Sequence, residues 1–265
     1  MDLDFANKTV VVTGGSRGIG LAVAAMFAAA GARVYAGSRT VTDELAELGR
    51  RLDVTHVPCD LATGDGVATL IDTTVAARGG IDVLVNNIAG SEPAESVLAF
   101  SDEHWQRVLD VTLFSAVRAV RAAVPAMLGR PGASIVTIGS VNSRRPTAMV
   151  AAYSAAKAAL ANYTKALSEE LAPRGIRVNA VSPGPVRTPL WTEPGGFAHY
   201  IAEQAGTTAD DVMDRLLPES MAITTGRVSE PDEVARLVAF LASDQAGNIT
   251  GVDYVIDGGM QKHVA

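Results

Sequence analysis

The chain has a single cysteine, Cys59, so an intrachain disulfide and a thiolate metal cluster are both excluded, and its apolar neighbours point to a buried structural thiol. The four histidines, His56, His104, His199 and His263, lie far apart without ligand spacing, which favours surface or packing roles and predicts no metal site. There is no Lys/Arg run, and a net charge of −7 opposes the clustered cations that a nucleic-acid surface needs. Long hydrophobic runs are also missing: Ala22 to Ala30 is Ala-rich and too short to cross a bilayer. The acidic start Met1-Asp2-Leu3-Asp4 lacks the basic region of a secretory signal, so the expectation is a cytoplasmic protein with no membrane span. No repeat, low-complexity tract or internal linker interrupts the chain.

What remains is a composition able to bury a sizeable core, with 48% hydrophobic and 19% charged residues over 265 positions. Short β-branched runs read as buried strands at Thr9 to Thr13, Arg33 to Ala36, Val54 to Pro58, Asp82 to Asn86, Ser134 to Ile138, Arg177 to Val181 and Asp253 to Ile256. Helix-length segments fall between them, near 18–30, 42–52, 65–78, 102–129, 151–172 and 230–243. This alternation predicts one α/β domain over 1–265, a doubly wound, Rossmann-type seven-stranded parallel sheet covered on both faces, with ligands at the carboxyl ends of its strands. Residues 189–225 break the pattern. Pro189, Pro194, Gly195, Gly196 and Gly206 surround a helical piece near 209–217, which reads as an inserted lid.

Two motifs carry chemistry. The first strand runs into Gly14-Gly15-Ser16-Arg17-Gly18-Ile19-Gly20 and then a helix, the setting in which backbone amides and a helix N-terminus meet a pyrophosphate. Farther on, Tyr153 and Lys157 stand one helical turn apart, thirteen residues after Ser140. Residues four apart share a helix face, so the ammonium is placed to favour the phenolate. A free tyrosine ionises near pH 10, and stabilising its phenolate costs about 1.36 kcal/mol for each pH unit, so work near neutrality requires a few kcal/mol from a neighbouring cation. Ser140 follows an apolar strand, which lets its hydroxyl emerge at the carboxyl end of the sheet. Ser143 and Ser154 are nearby alternatives.

The Gly-x-x-x-Gly-x-Gly spacing together with Ser140, Tyr153 and Lys157 resembles the short-chain dehydrogenase/reductase family over nearly the whole chain. Further matches are Asp60 after the third strand, Asn86-Asn87 at the end of the fourth, and Pro183-Gly184-Pro185-Val186-Arg187-Thr188 after the sixth. The resemblance implies that Asp60 and Leu61 contact the adenine, that Asn86 and Ile88 lie by the cofactor, and that Pro183, Gly184, Val186 and Thr188 flank the nicotinamide. Gly14, Ser16, Arg17, Gly18, Ile19 and Gly20 would form the phosphate loop. By the same resemblance Tyr153 exchanges a proton with the substrate oxygen, Ser140 hydrogen-bonds that oxygen, and Lys157 holds the cofactor ribose while lowering the tyrosine pKa. The second strand ends Ala36-Gly37-Ser38-Arg39, where an NAD-specific enzyme usually places an acid. Here Ser38 and Arg39, with Arg17, suit a 2′-phosphate, so NADP(H) is preferred over NAD(H).

The chain departs from the family twice. Thr112 replaces an asparagine thought to bend the long helix and to hold a relay water through its backbone carbonyl. A carbonyl survives any substitution, and a threonine hydroxyl bonding within its own helix would bend it slightly. Asn86-Asn87-Ile88-Ala89-Gly90 replaces the commoner Asn-Asn-Ala-Gly, and simple packing is the favoured account of Ile88 and Ala89. The implied activity is hydride transfer between NADP(H) and a carbonyl or secondary alcohol. The alternative is a cofactor-binding or sensing protein weakened in turnover, supported only by Thr112. Enoyl reductases of the family space Tyr and Lys farther apart, and its epimerases have a tighter glycine motif. Substrate contacts are expected from Ser91, Glu92, Arg144, Arg145, Met149, Val150, Leu190, Trp191, Phe197 and Met213, with a homodimer or homotetramer by analogy.

Overall fold

The structure is a computed structural model that describes residues 3–262, so Met1, Asp2 and His263 lie outside it. Seven strands, β1 (Thr9–Thr13), β2 (Arg33–Ser38), β3 (Val54–Pro58), β4 (Val83–Asn86), β5 (Ser134–Ile138), β6 (Arg177–Pro183) and β7 (Asp253–Ile256), form one parallel sheet in the order β3-β2-β1-β4-β5-β6-β7. The winding therefore reverses between β1 and β4, where Val10 pairs with Val83 and Val12 with Val85. Open parallel sheets bind ligands in the crevice outside such a reversal.

Side chains alternate across a strand, and each face finds its own cover. Val10, Val12, Val34 and Val85 pack against Val23 and Phe27 of α1 (Gly18–Ala29) and Val234 and Val238 of α11 (Pro231–Ala242). Val11, Tyr35, Leu84 and Ile135 face Leu70 and Ile71 of α3 (Gly64–Arg78) and Val120 and Met127 of α5 (Ser115–Met127). Strands buried on both faces must be apolar throughout, which is why β1, β4 and β5 read as continuous hydrophobic runs. The helix α2 (Asp43–Arg51) is capped by Thr42, whose hydroxyl accepts from the Leu45 N–H and donates to the Ser16 carbonyl.

The long segment expected over 102–129 is three pieces. Between α4 (Asp102–Leu109) and α5 the backbone opens into a wider π turn at Asp110–Phe114, with the Ser115 N–H reaching back to the Asp110 carbonyl. The helix α6 (Ala151–Leu171) carries Tyr153 and Lys157. After β6 come α7 (Pro189–Thr192), α8 (Phe197–Ala205), α9 (Ala209–Asp211) and α10 (Leu217–Ser220), with a second π turn at Val212–Leu216. Ala198, Ala202, Val212, Met213 and Leu217 close a small core of their own.

Candidate active site

The phosphate loop owes its shape to contacts that leave no room for side chains. Gly14 and Gly18 adopt φ of +69° and +54°, the left-handed region that favours glycine. A Cβ on Gly20 would collide with the Gly14 carbonyl and the Asn87 amide, and one on Gly18 would stand 3.3 Å from Thr188. Asn87 joins the site although it is not among the expected cofactor residues. Its Nδ2 donates to the Thr13 carbonyl at 2.8 Å and the Gly14 carbonyl at 3.1 Å, tying the end of β4 to the start of the loop. Thr13, equally unexpected, accepts from the Asn87 N–H at 2.9 Å and the Ile88 N–H at 3.2 Å and donates to the Val85 carbonyl. Only the doubled asparagine hints at this pairing in the sequence.

The other expected cofactor residues gather along the same edge. Asn86 is buried, and its Oδ1 has no hydrogen-bond partner among the described residues, an acceptor that suits a ribose hydroxyl. Asp60 keeps its loop in place, with Oδ1 accepting from the Ala62 N–H and its carbonyl from the Thr63 hydroxyl, while Leu61 is buried beside it. The turn after β6 forms a bridge to Ser229 that uses the Pro185 carbonyl and the Arg187 N–H, which turns the Val186 N–H and carbonyl to the opposite side. Pro183 ends β6 opposite Ile256 of β7, and the Gly184 N–H that follows donates to the Ile256 carbonyl. Ile88 packs against the core and touches the space over Gly14, as expected of a packing residue. These donors, acceptors and close-fitting glycines fit a dinucleotide.

Arg17 has an ionic partner that the sequence does not predict. Arg17 pairs with Glu193 at 3.2 Å, both side chains being well exposed, because the residue that ends α7 is an acid. Arg39 is exposed and has no ionic partner among the described residues. Ser38 is buried with its hydroxyl between Thr40 and His56.

After β5, Ser140 is buried and caps the turn Val141–Ser143, accepting from the Asn142 N–H at 3.1 Å. It neighbours the Tyr153 phenol. The rivals are spoken for: the Ser143 hydroxyl donates to the Ser140 carbonyl at 2.8 Å, and that of Ser154 to the Val150 carbonyl at 3.0 Å. Lys157 is 1% exposed, with Nζ 2.6 Å from the Ile138 carbonyl and 5.7 Å from the centre of the Tyr153 ring. The helical spacing thus brings all three groups together. Their electrostatics differ from the expectation that Lys157 lowers the tyrosine. Burial pushes the phenol up, opposed only by the hydrogen bond from Ser140. Burial also lowers Lys157 to about 7, since no carboxylate among the described residues stands beside it to favour its charge.

Thr112 also corrects an expectation. Its hydroxyl does not bond within its helix but crosses to Gly90, accepting from the N–H at 3.1 Å and donating to the carbonyl at 3.2 Å. The hydroxyl that bonds within the helix is that of Ser115, to the Val111 carbonyl at 2.7 Å. The helix nevertheless opens at Thr112, through the π turn itself.

Several expected substrate contacts are committed elsewhere. Glu92 binds Arg107 and His104, Arg144 reaches Asp253 at 3.1 Å, and Met213 is buried in the core beyond α7. Trp191 and Phe197 lie ring against ring at 5.4 Å. Met149 and Leu190 are exposed.

Comparison with known proteins agrees with this geometry. A family model described as enoyl-(acyl carrier protein) reductase matches residues 14–261. The chain is 39% identical over 264 residues to 3beta-hydroxysteroid dehydrogenase 1 of Eggerthella lenta, covering 97% of this chain and 95% of that protein. It belongs to the short-chain dehydrogenase/reductase family. Dehydrogenase/reductase SDR family member 4 of Homo sapiens is 35% identical, covering 96% of this chain and 87% of that one. The crystal structure of L-sorbose reductase from Gluconobacter frateurii, complexed with NADPH and L-sorbose, superposes with a TM-score of 0.92 at 32% identity over 100% of both chains. The chain is accordingly an oxidoreductase acting on hydroxyl or keto groups. No helix among the described residues is long and apolar enough to cross a membrane, and no group of three or more His, Cys, Asp or Glu among them could hold a metal.

Proposed function

We propose that this short-chain dehydrogenase/reductase interconverts a carbonyl compound and its secondary alcohol, working as a single domain with NADP(H) preferred over NAD(H). The observation that carries the reading is the grouping of buried Ser140, Tyr153 and buried Lys157 at the carboxyl end of the sheet, with the Lys157 Nζ 5.7 Å from the centre of the Tyr153 ring. When bound, the nicotinamide supplies or accepts the hydride. Tyr153 delivers the proton to the substrate oxygen in reduction and takes it back in oxidation. Ser140 donates a hydrogen bond to that oxygen and steadies the charge that develops on it. Lys157, whose one hydrogen-bond partner among the described residues is the Ile138 carbonyl, has further N–H donors for the cofactor ribose. Its ammonium form favours the phenolate, so the pair works as a base once Lys157 is protonated.

The cofactor is held by the loop Gly14 to Gly20, by Asn86 and Asp60, and by the free groups of Val186, with Thr188 closing on Gly18. Exposed Arg39 favours the phosphorylated cofactor. The segment over 189–225 acts as a lid, latched by Arg17 and Glu193. We place the enzyme in the cytoplasm as a homodimer or homotetramer. The test is Tyr153→Phe: NADPH should raise the melting temperature of variant and wild type alike, while turnover of a carbonyl panel falls by about 10²- to 10⁴-fold. Equal turnover in both proteins would overturn the proton role.

A further inference from the structure

The end of β2 holds a network that the expected 2′-phosphate site does not explain. Ser38 is 8% exposed, and its hydroxyl lies 2.8 Å from the Thr40 carbonyl and 3.0 Å from His56 Nε2. The same Nε2 is 3.2 Å from the Ser38 carbonyl. Carbonyls only accept. The single hydroxyl proton therefore goes to Thr40, and Nε2 must carry its own proton, shared between the Ser38 carbonyl and Oγ. With its proton spent and one lone pair on His56, Ser38 Oγ has one lone pair left. Toward a ligand that reaches it, Oγ can act only as an acceptor.

A free ribose 2′-hydroxyl is a donor and matches that lone pair. A 2′-phosphate presents acceptor oxygens, which suit Arg39 but oppose the lone pair of Ser38 unless its hydroxyl abandons Thr40. We propose that His56 is a specificity-determining positioning residue: by fixing Ser38 as an acceptor it sustains binding of NAD(H), so the chain takes both cofactors and its preference for NADP(H) stays shallow. The proposal rests on the reading of this cleft as a nicotinamide dinucleotide site.

The test measures dissociation constants of NADPH and NADH by cofactor fluorescence, with melting temperatures to establish folding. The wild type should bind both within about tenfold of each other. In His56→Phe, NADH should weaken by about tenfold, corresponding to about 1.4 kcal/mol, with NADPH changed by less than about twofold. Ser38→Ala should reproduce that selective loss and serves if His56→Phe does not fold. His56→Gln, with an amide N–H of similar reach, should restore NADH binding, and Arg39→Ala should weaken NADPH alone. Equal loss of both cofactors in His56→Phe and Ser38→Ala is what a merely structural role gives, and it overturns the proposal, as does an unchanged ratio. A wild type that binds neither cofactor sinks the proposed function itself and this inference with it.

Discussion

Replacing Thr112 by valine removes one hydroxyl and changes little else in shape. That hydroxyl makes both of its hydrogen bonds to Gly90, and Thr112 is 0% exposed, so water does not reach the site to replace them. Two net hydrogen bonds are worth about 2–3 kcal/mol together, against which the added methyl recovers about 0.8 kcal/mol by burial. The net loss is about 1–2 kcal/mol. For a chain of this size each kcal/mol moves the melting temperature by about 2–4 °C, so Thr112→Val should melt about 2–8 °C below wild type. Thr112→Ser loses a buried methyl and is also destabilised, by about 1 kcal/mol, so stability alone does not separate the two variants. Amide hydrogen exchange does. The Gly90 N–H should lose protection in Thr112→Val and keep it in Thr112→Ser, because only the serine retains the acceptor. Identical Gly90 exchange in the two variants would refute the assignment of Thr112 as the clasp between the π turn and the strand-end loop.

Asn87→Ala should cut the tie between β4 and the phosphate loop, lowering stability by about 1–3 kcal/mol and weakening NADPH by about tenfold or more in a fluorescence titration. Gly20→Ala should abolish cofactor binding in the same titration, since its Cβ has no place between Gly14 and Asn87. Lys157 is lowered from 10.5 to about 7 on folding, so between those values the unfolded chain holds more protons at this position and the contribution of Lys157 to stability rises with pH. Lys157→Met should therefore gain stability over wild type most at and below about pH 7, the gain shrinking toward pH 10.5, as read from denaturant melts across that range. A gain independent of pH would mean that Lys157 is buried fully charged.

Local signals make most of the fold legible. The seven strand runs are recognisable because strands buried on both faces tolerate few polar side chains, and their observed bounds differ from the expected ones by two residues or fewer. Ser140, Tyr153 and Lys157 are legible for a related reason, since their mutual placement depends on one helical turn and the end of one strand. The unexpected partnerships link elements distant in the chain. Thr112 meets Gly90 across 22 positions, Asn87 meets Thr13 across 74, and Arg17 meets Glu193 across 176. No periodicity encodes such meetings, because they depend on where the sheet sets its loops side by side.

The glycine loop joins these two kinds of information. Its spacing announces a turn that approaches a pyrophosphate, yet the collisions that forbid a side chain at Gly20 and crowd one at Gly18 come from the protein's own Asn87, Gly14 and Thr188. Gly20 is small so that the end of β4 can grip the loop, and Gly18 so that the turn after β6 can close on it. The loop is thereby held against Asn87 on one side and Thr188 on the other. Weakening the grip at Asn87 should therefore disturb cofactor binding without touching Ser140, Tyr153 or Lys157, which are assembled separately, in the turn after β5 and on α6.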